Sequence, residues 1–261
     1  MSKPVEHPRV VMVTGATSGI GQATALLLLS LGHHVAGLGR NAERLATLAT
    51  HADSLPGELL PLEGDVTDGN LVQRLAAQTL AHFGRLEVLV ANAGIGHRGK
   101  LAEARWEDIE RVLRTNIDGV VHSIRACIPP MRAGGGGHIL TISSVVGPVP
   151  TPGAAVYAMS KAAIDSLSQS LRMELRNDDI WVTNMIVGQT ATEFAKRRLG
   201  RSGKVARRLP TMPPERVAAQ LVRAMDRRRR TVIIRPIDRL IVLAGRFTPW
   251  LMDRILYRVY G

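Results

Sequence analysis

The sequence is short of cysteine, of long apolar runs and, towards its end, of acidic residues. One cysteine in 261 residues, Cys127, rules out an intramolecular disulfide and any cysteine-only metal site. A lone thiol is compatible with a reducing cytosol. No apolar run approaches the roughly 20 residues that a spanning helix needs. The opening MSKPVEHPRV has no apolar core of the signal-peptide kind. No stretch is long and polar enough to read as an interdomain linker, and no solenoid repeat appears. No His/Cys/Asp cluster has ligand spacing, so no metal is expected. Acidic residues number 18 against 16 basic ones up to residue 194, then 4 against 18 from 195 onwards. The overall charge of +12 therefore belongs to the last quarter. That quarter reads either as a solvated surface or as a face for something anionic. With no recognisable DNA- or RNA-binding motif, nucleic acid is not an expected partner.

What is present is alternation. Apolar strand-like runs at 10–15, 34–39, 59–65, 86–93, 138–144, 181–187 and 231–236 are separated by helical patterns. The helices read as Ile20 to Leu31, a segment through Leu48, Thr67 to Phe83, Trp106 to Met131 in one piece, Val156 to Arg176, and Pro214 to Met225. Unbroken apolar strands require cover on both faces, which gives an α/β fold: a doubly wound, Rossmann-like, seven-stranded parallel sheet in one domain.

TGATSGIG (14–21) lies between the first strand and the first helix. Its glycines, Gly15, Gly19 and Gly21, allow a tight turn and close backbone approach. Together with Thr17, Ser18 and Ile20 they would offer free amides and a helix N-terminus to a pyrophosphate. Tyr157 and Lys161, four residues apart, share one face of a helix. Ser144 ends the preceding strand, and Asn116 sits in TNIDG on the long helix.

The Gly-x3-Gly-x-Gly spacing, with Asn116, Ser144, Tyr157 and Lys161 in that order, resembles the short-chain dehydrogenase/reductase superfamily in its compact single-domain branch. The resemblance covers roughly residues 8–236. It implies a nicotinamide cofactor and an oxidoreductase. Tyr157 would exchange a proton with the substrate oxygen, its pKa lowered by the Lys161 ammonium, and Ser144 would hydrogen-bond that oxygen. Lys161 would also bind the nicotinamide ribose, and Asn116 would hold a water of a proton relay. Further implied cofactor contacts are Asp65 and Val66 at the adenine, Asn92, Ala93 and Gly94 beside the ribose, and Gly188, Thr190 and Thr192 near the nicotinamide. The usual Pro-Gly after strand six is Val187-Gly188 here, which should loosen that turn.

The second strand ends without a carboxylate. Arg40 stands there instead, and its guanidinium suits a 2′-phosphate, so the expected cofactor is NADP(H). Arg44 is either a second contact or a solvated helix residue. Ile95, Gly96, Val145, Val146, Ala154 and Gly188 should line a small apolar substrate pocket; His97 reads as a loop residue. The 189–213 stretch should form a basic lid. The expected activity is that of a ketoreductase or alcohol dehydrogenase acting on a lipophilic carbonyl or secondary alcohol. A 3-oxoacyl-thioester reductase and a non-catalytic nucleotide-binding scaffold are the alternatives. Helices 106–131 and 156–176 would pair subunits into a homodimer or homotetramer.

Residues 1–236 would form the catalytic domain and 237–261 an amphipathic helical extension. Ile237, Leu240, Ile241 and Ala244 share one face of the extension's first helix. Leu251, Met252, Ile255, Leu256 and Val259 share a face of the second. With Trp250, Tyr257, Tyr260 and the upstream Arg227 to Arg230, the extension reads as a peripheral contact with anionic membrane; docking on the protein itself is the other reading. The expected location is cytoplasmic, with that surface contact in addition.

Overall fold

The computed structural model describes residues 7–200 and 211–260. Seven parallel strands run in the order β3-β2-β1-β4-β5-β6-β7. They are β1 (Val10–Thr14), β2 (His34–Gly39), β3 (Leu59–Glu63), β4 (Val88–Ala91), β5 (Gly137–Ser144), β6 (Ile180–Val187) and β7 (Thr231–Ile233). The helices are α1 (Gly19–Ser30), α2 (Ala42–Ala52), α3 (Gly69–Phe83), α4 (Trp106–Leu113), α5 (Gly119–Ala133), α6 (Ala155–Glu174), α7 (Pro214–Arg227), α8 (Pro236–Phe247) and α9 (Pro249–Tyr260).

Successive side chains of a strand point to opposite faces. In β1, Val10 and Met12 pack with Val72 of α3, Ile124 of α5 and Ile164 of α6. Val11 and Val13 pack with Leu28 of α1, Leu48 of α2 and Leu221 of α7. Both faces are covered, as the unbroken apolar runs require. The two edges differ from that expectation. β3 contains the exposed Pro61 and buries only Leu62 fully. Proline lacks the N–H that a central strand would need, so an edge position suits it.

The segment read as one helix from Trp106 to Met131 is divided. Residues Arg114–Asp118 form a π-helical turn between α4 and α5. Such turns carry i→i+5 hydrogen bonds and push an extra residue out of register. The Arg227 to Arg230 run also differs from its reading. Arg228 pairs with Asp179 at 3.6 Å and lies 5.3 Å from the centre of the Trp181 ring. Both partners stand where β6 begins, at the opposite end of the sheet from Ser144, so the run is separate from the surface of α8 and α9.

Candidate active site

The strand order reverses between β1 and β4, where parallel sheets of this kind open a crevice at their carboxyl ends. Thr14 staples the two strands together there. Its hydroxyl accepts from the amides of Asn92 and Ala93, both at 3.0 Å, and the Asn92 side chain donates to the Thr14 carbonyl at 2.9 Å. The glycine loop crosses this staple. Gly15 (φ +66°) and Gly19 (φ +54°) sit in the left-handed region that side chains disfavour. A Cβ on Gly21 would collide with the Gly15 carbonyl. Ser18 caps α1 in extended geometry without a side-chain hydrogen bond to the helix, which leaves the first-turn amides of Gly19, Ile20 and Gly21 open. No acidic residue occupies that turn. This cradle, free of Cβ atoms and lined with donors, fits a dinucleotide pyrophosphate. Thr17 packs against Gly39, tying the loop to the end of β2.

Arg40, just after β2, forms an exposed ion pair with Asp65, just after β3, at 3.2 Å. Burial would raise the Asp65 carboxyl. Hydrogen bonds from Thr67 and the Arg40 guanidinium outweigh it and hold the group below its ordinary value. Val66 turns its side chain inward against Gly119, and His122 Nδ1 lies 3.0 Å from its carbonyl oxygen. Arg44 is neither free nor merely solvated: it pairs with Glu193 at 3.3 Å, and Glu193 also pairs with Arg197.

On α6, Tyr157 and Lys161 share a face with Asp165, a third residue at the same spacing. Burial pushes the Tyr157 phenol up to about 12, opposed by the Ser144 hydroxyl and the Arg198 charge. Burial pushes the Lys161 ammonium down to about 8, opposed by Asp165. Lys161 Nζ donates to the Ile142 carbonyl at 2.8 Å and lies 5.8 Å from the centre of the Tyr157 ring. The Arg198 charge thus favours the phenolate from the lid side. Asp165 is raised by burial and takes a hydrogen bond from Asn184 at 2.6 Å.

Asn116 lies in the π turn, fully buried. Its Oδ1 accepts from the Ile95 amide at 2.8 Å. Its Nδ2 donates to the Ile95 carbonyl at 2.9 Å and to Ser160 Oγ at 3.0 Å. Both side-chain hydrogens are thus engaged in clamping the loop after β4. Asn116 Oδ1 and Lys161 Nζ face the same spot above Gly94.

The lid rests on this loop. Leu199 donates to the Gly96 carbonyl at 2.9 Å, Phe194 and Arg198 cover Gly96, and the Phe194 ring lies 5.7 Å from that of Tyr157. Thr192 reaches over Gly19. Ile95, Val145 and Val146 are half-buried, and Gly96 and Ala154 are buried. His97 is 3 % exposed, with no hydrogen-bond partner for either ring nitrogen among the described residues. Lys196, Arg197 and Arg198 are exposed on the lid; Arg201, Lys204, Arg207 and Arg208 lie outside the described residues.

The turn after β6 at Val187-Gly188 is held by hydrogen bonds. The Val187 carbonyl accepts from Val145 N at 3.2 Å, and Thr190 Oγ1 donates to the Gly188 carbonyl at 3.2 Å. Gly188 itself lies against a two-pronged ion pair, Arg235 Nε to Asp238 Oδ2 at 2.7 Å and Arg235 Nη2 to Asp238 Oδ1 at 2.5 Å. That pair was missed in the sequence, although an acid two residues after the helix-opening Pro236 was visible. Phe194 and Arg198 were missed because their meeting with Tyr157 depends on the path of the lid. Asp165 could have been found by extending the Tyr157–Lys161 spacing once more.

Residues 9–201 match the family described as short chain dehydrogenase. The chain belongs to that family. It is an oxidoreductase with a site for a nicotinamide dinucleotide. Among curated proteins, glycine betaine reductase ATRR of Emericella nidulans is 34 % identical over 186 residues, which are 71 % of this chain but only 15 % of that larger protein. The 3-oxoacyl-[acyl-carrier-protein] reductase FabG of Thermotoga maritima is 33 % identical over 189 residues, 72 % of this chain and 77 % of that one. Among solved structures, a short chain dehydrogenase/reductase from Burkholderia phymatum in complex with NAD matches with a TM-score of 0.85. It is 26 % identical, and the match covers 94 % of this chain and 95 % of that one.

Proposed function

We propose that this short chain dehydrogenase is an NADP(H)-dependent ketoreductase or alcohol dehydrogenase for a lipophilic carbonyl or secondary alcohol. The observation that carries the reading is Tyr157 facing Ser144, with the Phe194 ring 5.7 Å from its own and Lys161 one helical turn on; Ile95, Gly96, Val145 and Val146 would line the substrate pocket. The glycine cradle, Asn92 to Gly94 and Thr192 would hold the cofactor, which when bound supplies or accepts the hydride. Tyr157 is protonated at neutral pH and can give that proton to a carbonyl oxygen. The Ser144 hydroxyl donates to the same oxygen as it gains charge. Lys161 presents an ammonium towards the space above Gly94, held by the Ile142 carbonyl, and can bind a ribose hydroxyl. Asn116 positions the loop through Ile95. Arg198 favours the phenolate, which the oxidative direction requires.

Arg40 supports NADP(H) over NAD because no carboxylate stands at the end of β2, and Asp65 holds the guanidinium at the crevice. The NAD-bound relative from Burkholderia phymatum makes this a point to measure. Subunit pairing belongs on α4 to α6, where Trp106, Met159 and Met173 are exposed; a monomer in light scattering would remove that assignment. The basic lid and the FabG relative favour a second reading, a 3-oxoacyl-thioester reductase.

The test is steady-state turnover of ketones, secondary alcohols and 3-oxoacyl thioesters with NADPH and NADH. Tyr157→Phe should lower turnover by about 10²–10⁴-fold with cofactor binding intact; near-normal turnover removes the proposed role. Arg40→Asp should shift the kcat/KM ratio towards NADH by at least about tenfold, and an unchanged ratio removes Arg40 as the 2′-phosphate reader. Turnover of thioesters alone would select the second reading. Cofactor binding without turnover of any substrate would leave a nucleotide-binding scaffold.

A further inference from the structure

We infer that α8 and α9 dock this protein on an anionic lipid surface, beside the rim of its substrate pocket. Both helices are laid out inside-out. In α8 the side chain buried deepest is Asp238, while Leu240 is 63 % and Phe247 73 % exposed. Ile237, Leu240, Leu243 and Phe247 follow one another at three- and four-residue steps and form a single outward stripe. On α9, Trp250 and Tyr257, 70 % and 71 % exposed and seven residues apart, form a second outward face. Monomeric soluble proteins scatter such residues singly, whereas a contiguous run marks a surface that is covered in use.

The inner side of each helix has its own anchor. Gly245 of α8 packs on Val149, in the loop after β5, with no room for a side chain. Tyr260 at the end of α9 lies under the Arg98 guanidinium, 5.6 Å from its ring centre. Gly99 N donates to the Gly153 carbonyl at 2.9 Å, joining the two loops that carry these anchors. These same loops carry Gly96, Val146 and Ala154, which would line the proposed substrate pocket. The tail is therefore seated on the loops beside the proposed site, with its apolar stripe facing away from them.

Charge decides which occupant fits. Arg239, Arg246, Arg254 and Arg258 are all exposed on the two helices, against Asp253 as the one exposed acid of the pair. A second copy paired about a two-fold axis would set these arginines against their own equivalents. Anionic headgroups would neutralise them while the stripe enters the acyl boundary. Trp250 and Tyr257 are side chains that settle at that boundary. The helices have 12 residues each, and no described helix is long and apolar enough to cross a membrane, so the pair would lie along the surface. Docking requires nothing of the cofactor assignment. Only delivery of a lipophilic substrate from the bilayer rests on the proposed function.

The experiment is co-sedimentation of the full chain with phosphatidylcholine vesicles, with and without phosphatidylglycerol, at low and high salt. Binding is expected to phosphatidylglycerol vesicles at low salt, weakening at least about tenfold at high salt or with phosphatidylcholine alone. Phe247→Glu should weaken it by at least about tenfold at an unchanged melting temperature. Arg246→Gln with Arg254→Gln tests the same contact through charge if Phe247→Glu does not fold. Absence of binding to phosphatidylglycerol vesicles overturns the inference, as does binding that none of these substitutions changes. If Phe247→Glu instead converts an oligomer to a monomer without affecting sedimentation, the stripe belongs to a second copy and the inference falls. All of these readouts are independent of turnover, so they stand or fall apart from the proposed reaction.

Discussion

β1 and α8 draw on the same aliphatic residues and spend them in opposite ways. Every residue of VVMVT is buried, and its apolar side chains are divided between two helical layers. In PIDRLIVLAGRF the one fully buried residue is an aspartate, while isoleucine, leucine and phenylalanine face outward. Apolar character alone does not place a residue inside; a second layer must be there to receive it. β1 has a layer on each face, whereas α8 has the loops at the sheet's end on one side and nothing of this chain among the described residues on the other.

The contrast can be tested at its joint. Asp238→Ala should cost about 3–5 kcal/mol, because it removes a buried carboxylate from beside Arg235. Thermal unfolding reads this directly, and a loss below about 1 kcal/mol would mean the pair is replaceable by water. Leu28→Ala, in the layer facing β1, should cost about 2–5 kcal/mol, whereas Leu240→Ala in the outward stripe should stay within about 0.5 kcal/mol. Equal losses in urea denaturation would show that the stripe is packed after all.

His138 offers a pH-dependent version of the same test. It is buried in β5, with Nε2 2.8 Å from the Thr183 hydroxyl and Nδ1 3.2 Å from the Met225 carbonyl. Burial pushes its pKa down to about 4, and the Arg228 and Arg9 charges add to this. The unfolded chain then holds the extra proton between the two pKa values. Stability from this group is complete above the ordinary histidine value and is lost as pH falls towards 4. The loss from pH 7 to pH 5 should be about 2 kcal/mol. His138→Gln should remove that slope from the unfolding midpoint; an unaltered slope would assign it to other groups.

The sheet was legible in the sequence because burial on both faces writes unbroken apolar runs. The glycine loop and the Tyr157, Lys161 and Ser144 set were legible because their spacing is local to one turn, one helix and one strand end. Less could be read where distant segments meet. Nothing local tells that Arg198 comes to the phenol, that Glu193 pairs with Arg44, or that Gly188 rests on an ion pair from the far side of β7. The tail shows the limit most plainly. Periodicity identified two amphipathic helices, but Leu240 proved to point out and Ile241 in, because α8 is apolar on most of its circumference.

The π turn at Arg114–Asp118 also constrains how this chain can vary in length. An α-helix turns by about 100° per residue, so the added residue sets the phase of everything after it. Deleting one residue there would give a straighter helix but rotate Val120, Ile124, Cys127 and Met131 away from the sheet they pack on. The same deletion would carry Asn116 away from Ile95. Insertions and deletions in this segment are therefore coupled to the core and to the clamp at once.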